Sequence, residues 1–121
     1  MKLRVKGNSI RLRLQQQELN DLLLNNKIVE STIINAFEVF SYELISGESF
    51  SVACITNILS IQIPSDILES WASGEEISIE QNWNNGTEQG LRILIEKDFA
   101  CLTNRLNEDD SDAFPNPNKF C

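Results

Sequence analysis

Histidine is absent from this 121-residue chain, and no other strong catalytic signature takes its place. Without histidine the chain lacks the usual general base of a serine or cysteine nucleophile and the usual zinc ligand. It also contains no glycine-rich phosphate-binding motif, and it has only five glycines from which to build one. These absences argue against the common hydrolases and nucleotide-binding enzymes, so we lean towards a protein without catalytic activity and expect no cofactor.

Cysteines and long apolar runs are also scarce. Three cysteines without C-x-x-C spacing favour reduced thiols over a disulfide framework or a zinc ribbon, and we expect Cys54, on an apolar segment, to lie in the core. No apolar run approaches the roughly 18 residues of a membrane helix, and the charged start lacks the apolar region of a signal peptide. We therefore expect a cytoplasmic protein that does not bind membranes.

The charge is distributed unevenly along the chain. The net charge is -8, yet half of the ten basic residues fall within the first 14 positions, which contain no acid. These basic residues, together with Asn8 at a Gly-Asn-Ser turn, are candidates for binding an anion or nucleic acid: Lys2, Arg4, Lys6, Arg11 and Arg13. Because the rest of the chain is strongly acidic and repels a polyanion, nucleic-acid binding would have to be local, and we do not favour it.

Hydrophobic periodicity predicts an α+β protein that is mainly β. Alternation with a period of two indicates strands, and a switch to helical spacing indicates two short helices. Asn25-Asn26 and Gly74 are typical helix ends, and Pro64-Ser65 is a typical helix start. The predicted strands cover residues 2–6, 10–14, 28–33, 38–45, 50–55, 58–63, 77–82 and 91–96, and the first helix covers 15–24.

The second half of the chain repeats the plan of the first. A shift of 49 positions without a gap superimposes apolar residues of the two halves, including Leu12 on Ile61, Leu19 on Leu68 and Ile28 on Ile77. Chance is the alternative, because segments with the same element order often match at apolar positions. The pattern predicts one domain over residues 1–121, in which ββαββ pseudo-repeats 1–46 and 50–98 close into a barrel-like structure, followed by an extended acidic tail over 99–121. We expect a monomer or a weak homodimer.

Two segments resemble the swapped-hairpin transcription factors of the AbrB and MazE-like antitoxin group. They are GNSIRLRLQQQELNDLL near the start and LSIQIPSDIL at 59–68. The resemblance implies a swapped-hairpin or cradle-loop fold, in which two chains interlock and basic hairpin residues contact DNA, and a duplicated chain would form that dimer internally. The second copy departs from this pattern, because the positions that are basic in the first copy are occupied by Ser51, Ala53, Ile55 and Ser60.

A second resemblance extends over the whole chain. The strings GNSIRLRL, LRILIEKDFACL and DSDAFPNP are similar to those of a family of short bacterial proteins known only as a domain of unknown function. This resemblance names no activity.

Acidic residues and thiols near the C-terminus provide weak alternative sites. Glu96 and Asp98, with Cys101, are candidates for metal binding or proton transfer, although a solvated strand end is the preferred interpretation. Cys101 and Cys121 would meet if the tail folds back. The acidic segment at 107–112 lacks the spacing of an EF-hand loop, and we hypothesise that it lies across the basic hairpin.

The function that these observations favour is a noncatalytic binding or structural domain whose partner is an unknown protein or small ligand. One alternative is a divergent AbrB-like nucleic-acid-binding regulator that uses the basic hairpin. Another is a metal-binding protein or enzyme that uses Glu96, Asp98 and Cys101.

Overall fold

The computed structural model describes residues 1–99, which form eight strands and two helices. The predicted α+β class, dominated by strands, is confirmed, and every predicted element is present within two residues of its expected bounds. In chain order the elements are β1 (Lys2–Lys6), β2 (Ser9–Leu14), α1 (Gln16–Asn25), β3 (Lys27–Ile33), β4 (Val39–Gly47), β5 (Ser51–Ile55), β6 (Ile58–Pro64), α2 (Ser65–Ser73), β7 (Ser78–Trp83) and β8 (Leu91–Lys97). Of the predicted tail, residues 100–121 lie outside the described residues, as do Cys101 and Cys121.

The strands form two separate four-stranded sheets. The first sheet has the order β1-β2-β8-β7, and the second has the order β3-β4-β6-β5. Strand β2 runs parallel to β8, and β4 runs parallel to β6, so each sheet joins a hairpin from one half of the chain to a hairpin from the other half. The expected closure into a barrel is wrong for residues 1–99, because the outer strands of each sheet pair on one side only and leave free edges.

The core lies between the inner faces of the two sheets and is completed by one face of each helix. Alternate residues of β2 point inwards, as the period-two pattern predicts, and the helices contribute Leu22 and Trp71, both fully buried. Burying a side chain of this size stabilises the fold by about 1.5–3 kcal/mol. The fully buried core side chains are Leu12, Leu14, Leu22, Leu44, Ile61, Ile63, Leu68, Trp71, Ile93 and Ile95.

The N-terminus is held at the start of α1. Glu18 accepts a hydrogen bond from the backbone N–H of Gln15 at 2.9 Å, as in a capping box, and its other carboxylate oxygen pairs with the Met1 ammonium. Glu30 lies 3.3 Å from the same ammonium, and the Tyr42 hydroxyl donates to the Met1 carbonyl at 2.7 Å. Burial and, secondarily, the charge of Glu30 raise the pKa of Tyr42.

The other end of α1 confirms the predicted stop at asparagine. Asn26 adopts the left-handed conformation, with φ 62°, and its N–H donates to the carbonyl of Leu22 at 2.8 Å. Neither helix among residues 1–99 is long and apolar enough to cross a membrane.

The placement of Cys54 in the core is wrong. Strand β5 is the edge of the second sheet, and Cys54 is exposed there as a free thiol, opposite Leu59 on β6. An edge strand lacks a neighbour on one side, so a residue on its inward-facing set can still reach solvent.

Candidate binding surfaces

The five predicted basic residues lie together on the outer face of the first sheet. Their pairing register places Lys2 opposite Arg13 and Arg4 opposite Arg11, while the alternate residues of β2 point into the core. Strand β8 adds Arg92 opposite Ser9 on the same face. We call this set the cationic face: Lys2, Arg4, Lys6, Arg11, Arg13 and Arg92.

Carboxylates from the second half of the chain are interspersed among these cations. Glu96 Oε1 lies 2.9 Å from Nε of Arg11 and 3.4 Å from Nε of Arg13, and the Glu96 side chain is only 16% exposed. At the rim, Lys2 Nζ lies 3.2 Å from a carboxylate oxygen of Asp98. Several of the residues proposed to grip an anion therefore already form ion pairs within the chain.

Asn8, the polar member of the predicted site, has a structural role in the fold. Its side-chain amide donates to the backbone carbonyl of Gly90, and the backbone carbonyl of Asn8 accepts the N–H of Arg92 at 3.1 Å. The side chain thus joins the β1–β2 turn to the start of β8.

The weak metal candidates are brought to one end of the cationic face, where each carboxylate meets a cation. Glu96 pairs with two arginines and Asp98 with Lys2, while Lys97 points to the opposite face, where its Nζ lies 5.5 Å from the ring centre of Trp71. Cys101 lies outside the described residues. Among residues 1–99, no group of three or more side chains of the metal-binding kinds converges on one point.

The outer face of the second sheet exposes an apolar patch at one end. Ile33 lies opposite Val39 in the β3–β4 pair, and Ile55 lies opposite Ile58 in the β5–β6 pair. Ile58 also lies beside Ser41, two residues from Val39, so the two apolar pairs are diagonal neighbours. Ile33 is 78% exposed and Ile55 is 70% exposed.

The turn between β3 and β4, which connects Ile33 to Val39 in the chain, exposes an aromatic ring. Phe37 is 95% exposed, yet its backbone N–H donates to the Asn35 side chain at 2.9 Å, and Ile34 N–H donates to the carbonyl of Glu38 at 2.9 Å. The ring is therefore presented on a hydrogen-bonded turn. We call Ile33, Phe37, Val39, Ile55 and Ile58 together the apolar patch.

At the other end of the same face, three polar side chains are paired with one another: Lys27, Glu43 and Ser60. Ser60 donates to Glu43 at 2.6 Å, and Lys27 Nζ lies 3.0 Å from the same carboxylate. The hydrogen bond from Ser60, followed by the interaction with Lys27, holds the pKa of Glu43 below its ordinary value, against the opposing effect of burial.

A family model described as a family of unknown function, DUF7009, matches residues 1–118. The chain belongs to DUF7009. The predicted resemblance to an uncharacterised family is thereby confirmed, and the DUF7009 model spans both sheets and most of the tail. No curated protein and no solved structure matches this DUF7009 chain.

Sequence reasoning found the cationic face of the DUF7009 chain and missed the apolar patch. A signal was present: around Thr56-Asn57 the neighbouring positions 55, 58 and 59 are all apolar, so both faces of that hairpin end carry apolar side chains. Only the pairing of β4 with β6 shows that the β3–β4 hairpin adds its own apolar pair at the same place.

Proposed function

We propose that this DUF7009 protein is a noncatalytic protein-binding domain and that the apolar patch is its binding surface. The observation that supports the proposal most strongly is the exposure of four branched aliphatic side chains at one end of a sheet face, the other end of which carries Lys27, Glu43 and Ser60. Solvent-facing sheet faces normally alternate to polar residues, and large contiguous apolar patches mark sites of interaction. The expected partner presents an apolar protein surface of its own.

The hydrogen bonds of the β3–β4 turn lower the entropic cost of burying Phe37 against a partner. An aromatic ring on a fixed backbone loses little conformational freedom when a partner covers it, so more of the gain from burial is retained as affinity. Aromatic side chains also dominate the energetics of many interfaces. Phe37 is accordingly the residue we expect to contribute most to binding.

Affinity capture with matched variants tests this proposal. The wild-type chain, a Phe37→Ser/Ile55→Ser variant and a Val5→Ser/Leu24→Ser control are immobilised, and proteins captured from source-cell extract are quantified. The control also removes two exposed apolar side chains, but neither belongs to the apolar patch. We expect partners captured by the wild type and the control to fall at least about tenfold with the patch variant, because a central anchor typically contributes over 1.4 kcal/mol.

Equal capture by the patch variant and the control would contradict the proposal. Thermal unfolding of all three proteins verifies that the fold is intact. Sedimentation of the purified wild type shows whether the partner is a second copy of this chain.

We also propose that the chain arose by internal duplication and is related to the swapped-hairpin proteins. The support is that β2 pairs with β8 as β6 pairs with β4, both in parallel, so each half of the chain exchanges a hairpin with the other. The gapless match of Ile28 to Ile77 needs correction, because the strand register makes Ile28 equivalent to Ile79. Ile28 on β3 lies opposite Leu44 on β4, and Ile79 on β7 lies opposite Ile95 on β8. The longer α2–β7 connection accounts for the two-residue difference.

A cytoplasmic location remains part of the proposal, supported by the free and exposed thiol of Cys54, since reducing compartments preserve such thiols. The nucleic-acid and metal alternatives stay predictions. Metal analysis of purified protein tests the second, and duplex DNA binding at low and moderate salt tests the first.

A further inference from the structure

We propose that β5, at the edge of the second sheet, pairs antiparallel with β5 of a second copy of this chain and joins the two sheets into one. Within residues 1–99, β5 pairs with β6 and has no strand on its other side. The backbone N–H and C=O groups of such an edge can pair with a strand from another molecule. The surface is the backbone edge of the sheet, whereas the apolar patch is a set of side chains on its outer face, and Ile55 belongs to both.

The composition of β5 separates it from the other edge strands of residues 1–99. Edge strands commonly carry charged side chains, which oppose pairing with a second molecule. Strand β1 carries three basic residues, β3 carries Lys27 and Glu30, and β7 carries Glu80. Strand β5 has the sequence SVACI, with neither a charge nor a proline. Two copies of β5 can therefore meet without charge repulsion.

The β5–β6 hairpin determines which backbone groups of β5 face outwards. Its turn has two residues, both with positive φ, so the flanking residues Ile55 and Ile58 form a hydrogen-bonded pair. Hydrogen-bonded pairs alternate with non-hydrogen-bonded pairs along an antiparallel ladder, so Ala53 also directs its backbone groups towards β6. Val52 and Cys54 consequently direct theirs away from β6, towards the open edge.

The outward groups of β5 complement those of an identical strand. When two copies pair antiparallel about a two-fold axis at Ala53, Val52 of each copy lies opposite Cys54 of the other. These are the two residues with outward backbone groups, so they form reciprocal hydrogen-bonded pairs on both sides of the axis. Ala53 meets its own counterpart in the non-hydrogen-bonded pair between them, where its small side chain fits a close approach. The same surface serves both copies, as a two-fold homodimer requires.

The pairing also covers a small apolar side chain that one copy leaves in water. Val52 packs against the core, and Cys54, on the same inward-facing set, is exposed. In the pair, Cys54 lies beside Val52 of the second copy. A strand of five residues makes a small interface, so we expect a weak dimer. The apolar patches of both copies remain on the outer face of the joined sheet.

Disulfide trapping at matched positions tests the strand register in the full-length chain. In a Cys54→Ser/Cys101→Ser/Cys121→Ser background, Ala53→Cys places two thiols at the axis, with Cα atoms about 4.5 Å apart, within disulfide range. The control, Ser51→Cys, lies on the same strand and face, but its two copies are about 14 Å apart along the paired strands. We expect a disulfide-linked dimer to form at least about tenfold faster from Ala53→Cys under mild oxidation.

Sedimentation over a range of protein concentrations tests the dimer without a cross-link. We expect the dimer fraction of the wild type to rise with concentration. Ala53→Lys brings two ammonium groups together at the axis and should give a monomer throughout. Val29→Lys is the control, because Val29 is an exposed residue of β3, the opposite edge of the same sheet, and this variant should dimerise like the wild type. Thermal unfolding verifies that both variants are folded.

Three results would overturn the proposal. Equal rates of disulfide formation at positions 51 and 53 would show random collision. A wild type that is monomeric at every concentration would leave a strand of another protein as the occupant of this edge. A dimer that persists in Ala53→Lys and is lost in Phe37→Ser would assign self-association to the apolar patch instead. The capture experiment, which relies on Phe37, tests the patch separately.

Discussion

The carboxylate of Glu96 lies 2.9 Å from Nε of Arg11, and this ion pair joins the last strand of the described chain to the N-terminal hairpin. The same carboxylate oxygen lies 3.4 Å from Arg13, its direct opposite in the β2–β8 pair. Two of the basic residues that first suggested a nucleic-acid site thus help to hold two distant segments together. Part of the positive charge on the first sheet therefore stabilises the contact between β2 and β8.

Neutralising Glu96 should weaken the fold in a salt-dependent manner. We expect Glu96→Gln to lower the free energy of unfolding by about 1 kcal/mol at low salt, because two partly exposed ion pairs are lost. The loss should shrink in about 1 M salt, which screens charges beyond about 3 Å. Urea unfolding measures both values. Glu80→Gln, which breaks the more exposed ion pair with Arg92, is the control, and it should lower the free energy of unfolding by less than about 0.5 kcal/mol. An equal loss of stability in both variants that does not depend on salt would contradict this prediction.

The charge of Glu18 and its capping role can be separated by two substitutions. Glutamine can occupy the third position of a capping box, so Glu18→Gln keeps the bond to Gln15 and removes only the ion pair with the Met1 ammonium. We expect Glu18→Gln to lower the free energy of unfolding by about 1 kcal/mol, because Glu30 still pairs with the ammonium and limits the loss. Glu18→Ala should lower it by about 1 kcal/mol more, because the helix cap is also removed. Urea unfolding of the two variants tests this order, and equal losses would contradict it.

Ser60 should make stability depend on pH through Glu43. Because the folded pKa of Glu43 is held below its unfolded value, the carboxylate stabilises the fold above the unfolded pKa, and this contribution is lost as the pH falls through the folded pKa. Ser60→Ala should raise the folded pKa of Glu43 and cost about 1–2 kcal/mol near neutral pH, with the difference from wild type shrinking in acid. NMR titration of Glu43 and urea unfolding at about pH 7 and about pH 3 measure the two effects. Ser60→Thr retains a hydroxyl and is the control; a pH-independent difference would argue against the mechanism.

The β5–β6 turn holds Thr56 in a strained backbone conformation that a substitution can relieve. Thr56 has φ 51° and Asn57 has φ 63°, the left-handed pair that a two-residue hairpin turn requires, but a β-branched side chain disfavours it. We expect Thr56→Asn to stabilise the protein by about 0.5–1 kcal/mol, since asparagine tolerates this conformation better. The same substitution at Thr32, an exposed position in β3, should destabilise because asparagine is unfavourable in strands. Thermal unfolding should therefore move in opposite directions for the two variants.

Most of the secondary structure was predictable because its signals are local. The alternation of Ile10, Leu12 and Leu14 with basic residues gives the strand and its buried face, and Asn26 marks the helix end through its own tolerance of positive φ. The pairing of the hairpins was not predictable, because an alternation of apolar and polar residues shows which face of a strand is buried but does not show which strands lie beside it. The contact of Arg13 with Glu96, separated by 83 positions, follows only from the parallel β2–β8 pair.

The same limit explains the two errors at the second sheet. Cys54 is exposed because β5 is an edge strand, and the sequence of β5 alone does not show that it lies at an edge. The apolar patch was missed because Ile58 and Leu59 are both apolar, so the local pattern does not show which of them faces solvent. Both questions are decided by the pairing of strands far apart in the chain.

Site-specific photo-crosslinking tests most directly whether the apolar patch binds a protein. A photoreactive phenylalanine analogue is placed at position 37, in the exposed turn, and separately at position 24, an exposed apolar site on α1, in cells that make the protein. We predict a discrete covalent adduct after irradiation at position 37, lost when Ile55→Ser is added, and none at position 24. The absence of an adduct at position 37, or adducts of equal yield at both positions, would contradict the account.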